Sequence, residues 1–400
     1  MPRLNRSAYS ERSLEAFLHI YLPGGDFRST NTEGKDFINM LPILSIRDQA
    51  LQMAVLAIST TALGKTTNNE DLVKQGRSLY GKALTETAVA LRNPTRAKSE
   101  AVFAIPRVMA LFEILFGAEA NSSTQAKSWL SHAEGEVALI VGRGPNSYSQ
   151  SEEAHNLFAN ARFRTLIAAV RRRQATVLDE DRWKTLPWKG RAKTPNDTLL
   201  DILCGVPALL EAIDKLGCMS ATDKRKEGLR VYTIARCWTL HVKLLAWLTA
   251  NPNAIYTPTV MDTTPIHFQD LDTACLTVRY WVTALLLYSS LDKAYGIQFS
   301  TDSALTHPDR PHPRYFARLI ARSAKYFFQE HYGITGATAI SFPLGNAMYH
   351  FKNNPAVDQE YLAMILKTWS DPLLPSAIKD FLSSMRRPDV ARVNYNITGQ

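Results

Sequence analysis

The stretch SWLSHAEGEVALIVGRGP, residues 128–145, has apolar residues at the three-and-four spacing of an α-helix. Its main apolar stripe consists of Trp129, Ala133, Val137 and Ile140. Ser128 is suited to cap the start of this helix, and Gly142 is suited to end it in the left-handed conformation. Pro145 cannot continue the helix. The stretch therefore predicts a helix that packs one face into a core and stops before a Gly-Pro turn.

The polar residues of this stretch allow two interpretations. His132 and Glu136 share one helix face, and Arg143 lies at the helix C-terminus, where the macrodipole favours a cation. The Arg143 guanidinium is also suited to hold a carboxylate such as that of Glu113. We favour a buried structural network of Glu113, His132, Glu136 and Arg143 over a ligand-binding or catalytic role.

The same helical period continues along most of the chain, and this predicts an all-α fold. We expect about a dozen helices in two halves without a significant sheet; only AIYTPTV, residues 254–260, is a plausible extended piece. SIRDQALQMAVLAISTTALG, residues 45–64, is apolar nearly all round and predicts a central helix. Pro106 and Pro207 are expected to kink or divide their helices. The predicted divisions are a short arm at 1–13, a helical half at 14–182, an irregular hinge at 183–198 and a second helical half at 199–400.

Composition excludes few functions but sets the class of protein. The 400 residues are 46% hydrophobic and 21% charged, with a formal net charge of +9. The densest basic cluster, Arg171–Arg173, has no interleaved aromatic residues, and we interpret it as a solvated helix face. Neither a secretory signal nor a run of about 18 apolar residues is found. We therefore expect an intracellular protein, in the nucleus or cytoplasm, that does not enter a membrane.

No motif predicts a metal or a cofactor. The chain lacks G-x-S-x-G, the P-loop pattern, a dinucleotide fingerprint and H-E-x-x-H, and its four cysteines form no C-x-x-C pair. His307 and His312 are five residues apart in a Pro-rich segment and have no third ligand nearby. We expect neither a bound metal nor an organic cofactor.

A second region combines aromatic and polar side chains on two predicted helices. Its members are Trp238, His241, Tyr280, Trp281 and Tyr288. Aromatic rings with polar tips at this spacing either pack as core or line a slot for a small, largely apolar metabolite. If the protein is an enzyme, His241 is the expected general acid–base, with Tyr280 or Tyr288 as a proton donor beside it.

Several segments, in order, resemble one known family. Trp129, His132, Gly135 and the Arg143-Gly144-Pro145 end match a W-x-x-H-x-x-G-x-x-x-L-I-x-x-R-G-P pattern. ALFEIL at 110–115, LFANARF at 157–163 and the segment ending in FPL at 342–344 accompany it. The chain thereby resembles the regulatory, or middle-homology, region of fungal zinc-binuclear-cluster transcription factors, over about residues 14–386.

The resemblance implies a transcription regulator of a secondary-metabolite or nutrient gene set. That family usually carries a six-cysteine zinc cluster that reads DNA, and residues 1–13 contain no cysteine. We therefore expect no specific DNA binding by this chain alone, and either a homodimer or a DNA-binding partner protein. Two alternatives stay open. One is a cofactor-independent cyclase, isomerase or hydrolase recruited from the regulatory fold, and the other is a scaffold or truncated product.

Overall fold

The computed structural model describes residues 2–21, 35–117, 122–258, 262–296, 306–307, 309–352 and 357–370. The architecture of these ranges is helical, which confirms the predicted all-α class. The β structure within them is one antiparallel pairing of two-residue strands, β1 (Thr306–His307) with β2 (Arg310–Pro311). Residues 254–258 form no strand. The other two residues of the expected extended piece, 259 and 260, lie outside the described residues, as does a short helix predicted at 375–386.

Among the described residues, the N-terminal half has eight α-helices, and short turns of 3-10 helix lie between some of them. They are α1 (Pro2–Tyr21), α2 (Lys35–Ser45), α3 (Gln49–Thr66), α4 (Glu70–Arg92), α5 (Glu100–Phe116), α6 (Ser122–Arg143), α7 (Glu152–Arg172) and α8 (Asp181–Thr185). Helix α3 is buried along almost its whole length and packs against α1, α2, α4 and α5, as its apolar sequence predicts. Gly76 of α4 permits the closest approach, because a Cβ there would lie 2.0 Å from the Thr61 hydroxyl of α3.

The C-terminal half is organised around one buried helix. Its helices are α9 (Pro195–Leu203), α10 (Val206–Cys218), α11 (Lys224–Ala250), α12 (Leu271–Tyr295), α13 (Pro313–Phe327), α14 (Gly333–Lys352) and α15 (Gln359–Trp369). Helix α12 packs against α9, α10, α11, α13 and α14. It is long and apolar enough to cross a membrane, but 89% of its most apolar window is buried inside the protein, as in a core helix.

Four details differ from the sequence predictions. Helix α1 begins at Pro2, so the arm predicted at 1–13 is helical. Helix α6 begins at Ser122 rather than Ser128 and continues through Gly142 and Arg143. Gly144 follows the helix with a φ of +77°, so the glycine that needs a positive φ lies two residues later than predicted. Ser128 and Gly142 can also occupy the interior of a helix, and α6 includes both of them.

The fourth difference concerns the hinge predicted at 183–198. Residues 181–188 form α8 and a 3-10 turn, and they bury Trp183 and Trp188 against Phe158 of α7. Thr194 then caps α9 in a reciprocal capping box with Asp197. The prolines and charges of this segment indicate irregular structure, but its two tryptophans supply enough apolar surface to hold it in the core. The segment is a packed connection between the two halves.

Candidate functional site

Glu113 and His132 meet through a third side chain, Tyr80 of α4. The Tyr80 hydroxyl donates to Glu113 Oε1 at 2.6 Å and lies 2.7 Å from His132 Nε2. Because a hydroxyl has one hydrogen, His132 Nε2–H must donate to the Tyr80 oxygen. Burial and the adjacent Glu113 carboxylate both raise the pKa of Tyr80, so it stays neutral. The sequence patterns did not reveal Tyr80, because its two polar partners come from other helices, α5 and α6.

The other two polar residues of α6 have partners of their own. Glu136 is buried and accepts two hydrogen bonds from Arg164 of α7, one of them from Nε at 2.7 Å. Arg143 donates to Glu100 at 2.8 Å, not to Glu113, and its guanidinium lies near the rings of Phe103 and Tyr148. The four predicted residues thus belong to three separate contacts rather than one network, because α4, α5 and α7 approach different turns of α6.

The aromatic residues of α11 and α12 pack closely with one another and with their neighbours. His241 Nδ1 lies 3.0 Å from the Tyr288 hydroxyl, and Trp238 stacks edge-on against His241. Tyr280 stacks on Trp247 of α11, and Trp281 packs near Phe268 in the described segment that precedes α12. Burial lowers the pKa of His241, with the nearby Arg310 acting in the same direction.

The tyrosines of this cluster are poor proton donors at neutral pH. Burial raises the pKa of Tyr280 to about 12, and it raises the pKa of Tyr288 as well. Tyr288 is 1% exposed and has His241 as its hydrogen-bonding partner. His241 and Tyr288 thus satisfy each other within the core, and the ligand slot expected in this cluster stays a prediction.

A cavity of about 160 Å³ lies elsewhere, between the two halves of the protein. Helices α5, α6 and α7 line it from the N-terminal half, and α12 and α14 line it from the C-terminal half. Tyr21, the last residue of α1, lies at the same cavity. Its volume is close to that of a core cavity able to hold a benzene-sized molecule. None of the five residues of the aromatic cluster lines it.

The walls of this cavity are mainly apolar, with a few polar groups. The larger apolar side chains are Leu111, Ile114, Trp129, Phe163, Ile167 and Phe342. Three arginines also line it: Arg107 of α5, Arg164 of α7 and Arg279 of α12. The described residues that line the cavity include no histidine, aspartate, glutamate or lysine. This composition suits binding of a small molecule.

Two of these arginines, Arg107 and Arg279, can be recognised in the sequence by the apolar helices that contain them, although helical spacing alone does not indicate them. Arg107 is the one basic residue in the buried α5 sequence, EAVFAIPRVMALFEILF, and Arg279 is the one arginine in α12. Both side chains are largely buried. An arginine among apolar residues on a buried helix needs a polar environment, so it indicates a functional site or a buried ion pair.

The other basic features are tied to local structure. In the cluster Arg171–Arg173, Arg172 pairs with Glu134 and Arg173 pairs with Asp214 at 2.6 Å. His312 caps α13 by accepting from the backbone N–H of Arg314 at 3.1 Å. The side chain of His307 lies outside the described residues. The paired arginines are typical of a solvated helix face rather than a phosphate-binding surface.

Comparison with known proteins agrees with the motif resemblance. Residues 17–294 match the family model described as the fungal specific transcription factor domain, and this confirms the resemblance. An uncharacterized protein of Emericella nidulans is 25% identical over 241 residues, which are 56% of this chain. The match spans 50% of that relative's own length. No solved structure matches this chain.

Proposed function

This chain belongs to the fungal specific transcription factor domain family, and we propose that it is a ligand-responsive regulatory domain that acts in the nucleus. The observation that carries the proposal is the cavity between the two halves. Its walls come from α5, α6 and α7 on one side and from α12 and α14 on the other. A small molecule bound there contacts both halves at once.

Such a ligand has a physical means of changing the protein's output. A ligand shifts an equilibrium between two arrangements when it binds one of them more tightly. Because the cavity is shared by the two halves, its shape depends on how they pack, and a bound ligand favours the packing that fits it. The surface presented to a transcriptional partner then differs between the free and the bound states.

The partner and the target genes are the finer parts of this proposal. We propose that residues 1–400 do not by themselves read a DNA sequence, and that a DNA-binding partner brings the domain to its promoters. The family resemblance supports a secondary-metabolite or nutrient gene set as the target. The Emericella nidulans relative, which is matched over half of its length, suggests no activity for this chain, because it is itself uncharacterized.

The geometry gives less support to an enzyme. His241 and Tyr288, the expected acid–base pair, are buried and form a hydrogen bond with each other. Tyr280 is buried as well, and neither tyrosine lines the cavity. The cavity itself offers arginines and hydroxyls but no described carboxylate or imidazole to move a proton. We therefore propose the regulatory function and no second one.

A reporter assay tests the proposal. Residues 1–400 are fused to a heterologous DNA-binding domain in a fungal cell that carries a matching promoter. We expect reporter output to differ from that of the DNA-binding domain alone. Ala339→Phe is expected to change that output, because Ala339 lines the cavity and a phenyl ring there fills it.

Ala88→Phe is the matched control, since Ala88 is exposed on α4 and away from the cavity. It is expected to leave the output unchanged. Both variants are first checked for an unaltered melting temperature. Reporter output equal to that of the DNA-binding domain alone would overturn the regulatory function. A normal response from Ala339→Phe would show that the cavity is not the regulated site.

A further inference from the structure

The polar groups at the cavity include three arginines, and all three are engaged with the protein itself. Arg164 donates two hydrogen bonds to Glu136, and Arg279 donates to Asn196 at 2.7 Å. Arg107 stacks on an aromatic ring, and both Arg107 and Arg279 make further contacts within the protein. Because these arginines already have partners, the cavity suits an uncharged ligand better than an anion.

Two threonines of α14 bring hydroxyl groups to the cavity wall. Thr335 and Thr338 are three residues apart, so they are neighbours on one helix face, and Ala339 and Phe342 continue that face. Both threonines are half-buried, although α14 packs against α12 and α13. The exposed part of each side chain therefore faces the open space of the cavity.

The hydrogens of these hydroxyls are already donated within the protein. Thr335 Oγ1 donates to the Tyr21 carbonyl at 2.9 Å, and Thr338 Oγ1 donates to the Ile334 carbonyl. Ser341, a third hydroxyl at the cavity, donates to the Thr338 carbonyl at 2.8 Å. A hydroxyl has one hydrogen and two lone pairs, so each oxygen can still accept a hydrogen bond. This wall therefore favours a ligand that donates one.

The rings at the cavity narrow the ligand class further. Phe163 and Phe342 meet edge to face, with ring centres 5.9 Å apart, and Trp129 lies at the same cavity. A flat ring packs well against such an arrangement. The volume of about 160 Å³ limits the ligand to about one ring. Walls of this kind fit a single aromatic ring that carries one hydrogen-bond donor.

We propose that the cavity binds a neutral phenol or a similarly small aromatic alcohol. The ring lies against Phe163, Phe342 and Trp129, and the ligand O–H donates to the hydroxyl oxygen of Thr335 or Thr338. A phenol has a pKa near 10 and is uncharged at neutral pH. The inference rests on the proposed function, because it names the ligand of the same cavity. The ligand contacts α7 and α14, which belong to different halves of the protein.

The test uses the purified full chain and pairs of probes with the same shape. Phenol is paired with toluene, and benzyl alcohol is paired with ethylbenzene. Binding is measured by calorimetric titration and by the rise in melting temperature. A hydroxyl buried without a partner weakens binding about a hundredfold or more relative to the hydrocarbon. We expect the alcohol of at least one pair to bind within about tenfold of its hydrocarbon, because a threonine oxygen accepts its hydrogen bond.

Variants of the two threonines remove the acceptors and keep the shape of the wall. Thr338→Val and Thr335→Val each replace a hydroxyl by a methyl group. At least one of them is expected to weaken binding of the alcohol about tenfold, while the hydrocarbon binds as before or more tightly. Two variants are used so that a folding defect in one leaves the other to decide.

Thr239→Val is the matched control for the loss of a threonine hydroxyl. Thr239 is exposed on α11, donates to the Ala235 carbonyl at 3.0 Å and lies away from the cavity. This variant is expected to bind both probes of each pair normally. Ala339→Phe locates the ligand, since the added ring fills the cavity and is expected to abolish binding of alcohol and hydrocarbon alike.

The outcomes distinguish this inference from the proposed function. The assignment would be overturned by failure of all four probes to bind, or by binding that survives Ala339→Phe. It would also be overturned if both alcohols bind a hundredfold more weakly than their hydrocarbons, or if neither threonine variant weakens the alcohol. None of these results depends on the reporter output, so the regulatory function is tested separately by the fusion to a DNA-binding domain.

Discussion

Two neighbouring arginine sites connect the halves of this protein, and they differ in whether open space lies beside the arginine. At the first, which we call the closed joint, Arg162 of α7 lies over the Trp188 ring and pairs with Asp201 and Asp197 of α9. The second site is at the cavity, where Arg279 of α12 lies over the ring of Phe163, which follows Arg162 in α7. Arg279 also donates a hydrogen bond to Asn196, which precedes Asp197 in α9.

Helix α9 therefore contributes the two aspartates at the closed joint and the Asn196 amide at the cavity. Arg162 is 1% exposed, and two carboxylates and an aromatic ring surround it. Arg279 is also buried, but the open space of the cavity lies beside it. We infer that the closed joint holds the halves together, while the cavity is where their packing responds to a ligand.

Loss of the closed joint is expected to have the largest effect. Arg162→Met removes a buried cation from Asp197 and Asp201, and Lys193 remains as a partner of Asp201 alone. Breaking one side of such a pair lowers the free energy of unfolding by about 3–5 kcal/mol. Urea denaturation at neutral pH measures the change.

Arg172→Met is the control for that measurement. Arg172 pairs with Glu134, but its side chain is 47% exposed, so its loss is expected to lower the unfolding free energy by less than about 1 kcal/mol. If the free energy of unfolding falls by a similar amount in the two variants, the closed joint stabilises the fold no more than an exposed ion pair does.

The cavity arginine is expected to matter less for stability. Arg279→Met removes the hydrogen bond to Asn196 and the stacking on Phe163. Water in the adjoining cavity can hydrate polar groups that lose a partner, so we expect a loss of about 1–3 kcal/mol. The same urea experiment compares this variant with Arg162→Met. A loss as large as that of Arg162→Met would show that Arg279 is a structural residue, and the contrast between the two sites would disappear.

The smallest effect concerns the response of the closed joint to pH. His155 of α7 donates from Nδ1 to the Pro187 carbonyl at 2.9 Å and meets Trp188 edge to face. Burial lowers the pKa of His155 below its ordinary value near 6.5, although the bond to Pro187 acts in the opposite direction. As pH falls below about 6.5 the unfolded chain takes up this proton first, so the native state loses stability.

His155→Gln retains an N–H donor for Pro187 and removes the titration. Between pH 7.5 and pH 5.5, we expect its melting temperature to fall less than that of the unmodified protein. The difference between the two falls corresponds to the protonation of one histidine. Buffers of equal ionic strength keep the comparison fair. An identical fall in both proteins would mean that His155 does not couple the closed joint to pH.

Helical periodicity was sufficient to predict the fold class, because each helix buries a stripe that its own sequence defines. The burial of α3 and the break between α9 and α10 at Pro207 both follow from local residues. The partners of Glu113, Glu136 and Arg143 do not follow in this way. They depend on which turns of α4, α5 and α7 meet α6, and that register is decided by packing between distant segments.

The cavity was beyond prediction for the same reason. Its walls come from segments near residues 110, 163, 277 and 338, and no spacing within one helix brings these together. The aromatic pattern indicated Trp238 and Tyr288, whose rings both pack edge-on against His241. Lone arginines on buried helices were the more informative signal.

Hydrogen exchange with and without a cavity-filling substitution tests the central claim most directly. The full chain and its Ala339→Phe variant are labelled under identical conditions, because Ala339 lines the cavity. We predict changed exchange in α5 and α14, on both sides of the cavity, and unchanged exchange in α9 at the closed joint. A change confined to α11, or no change in α5 and α14, would contradict the account.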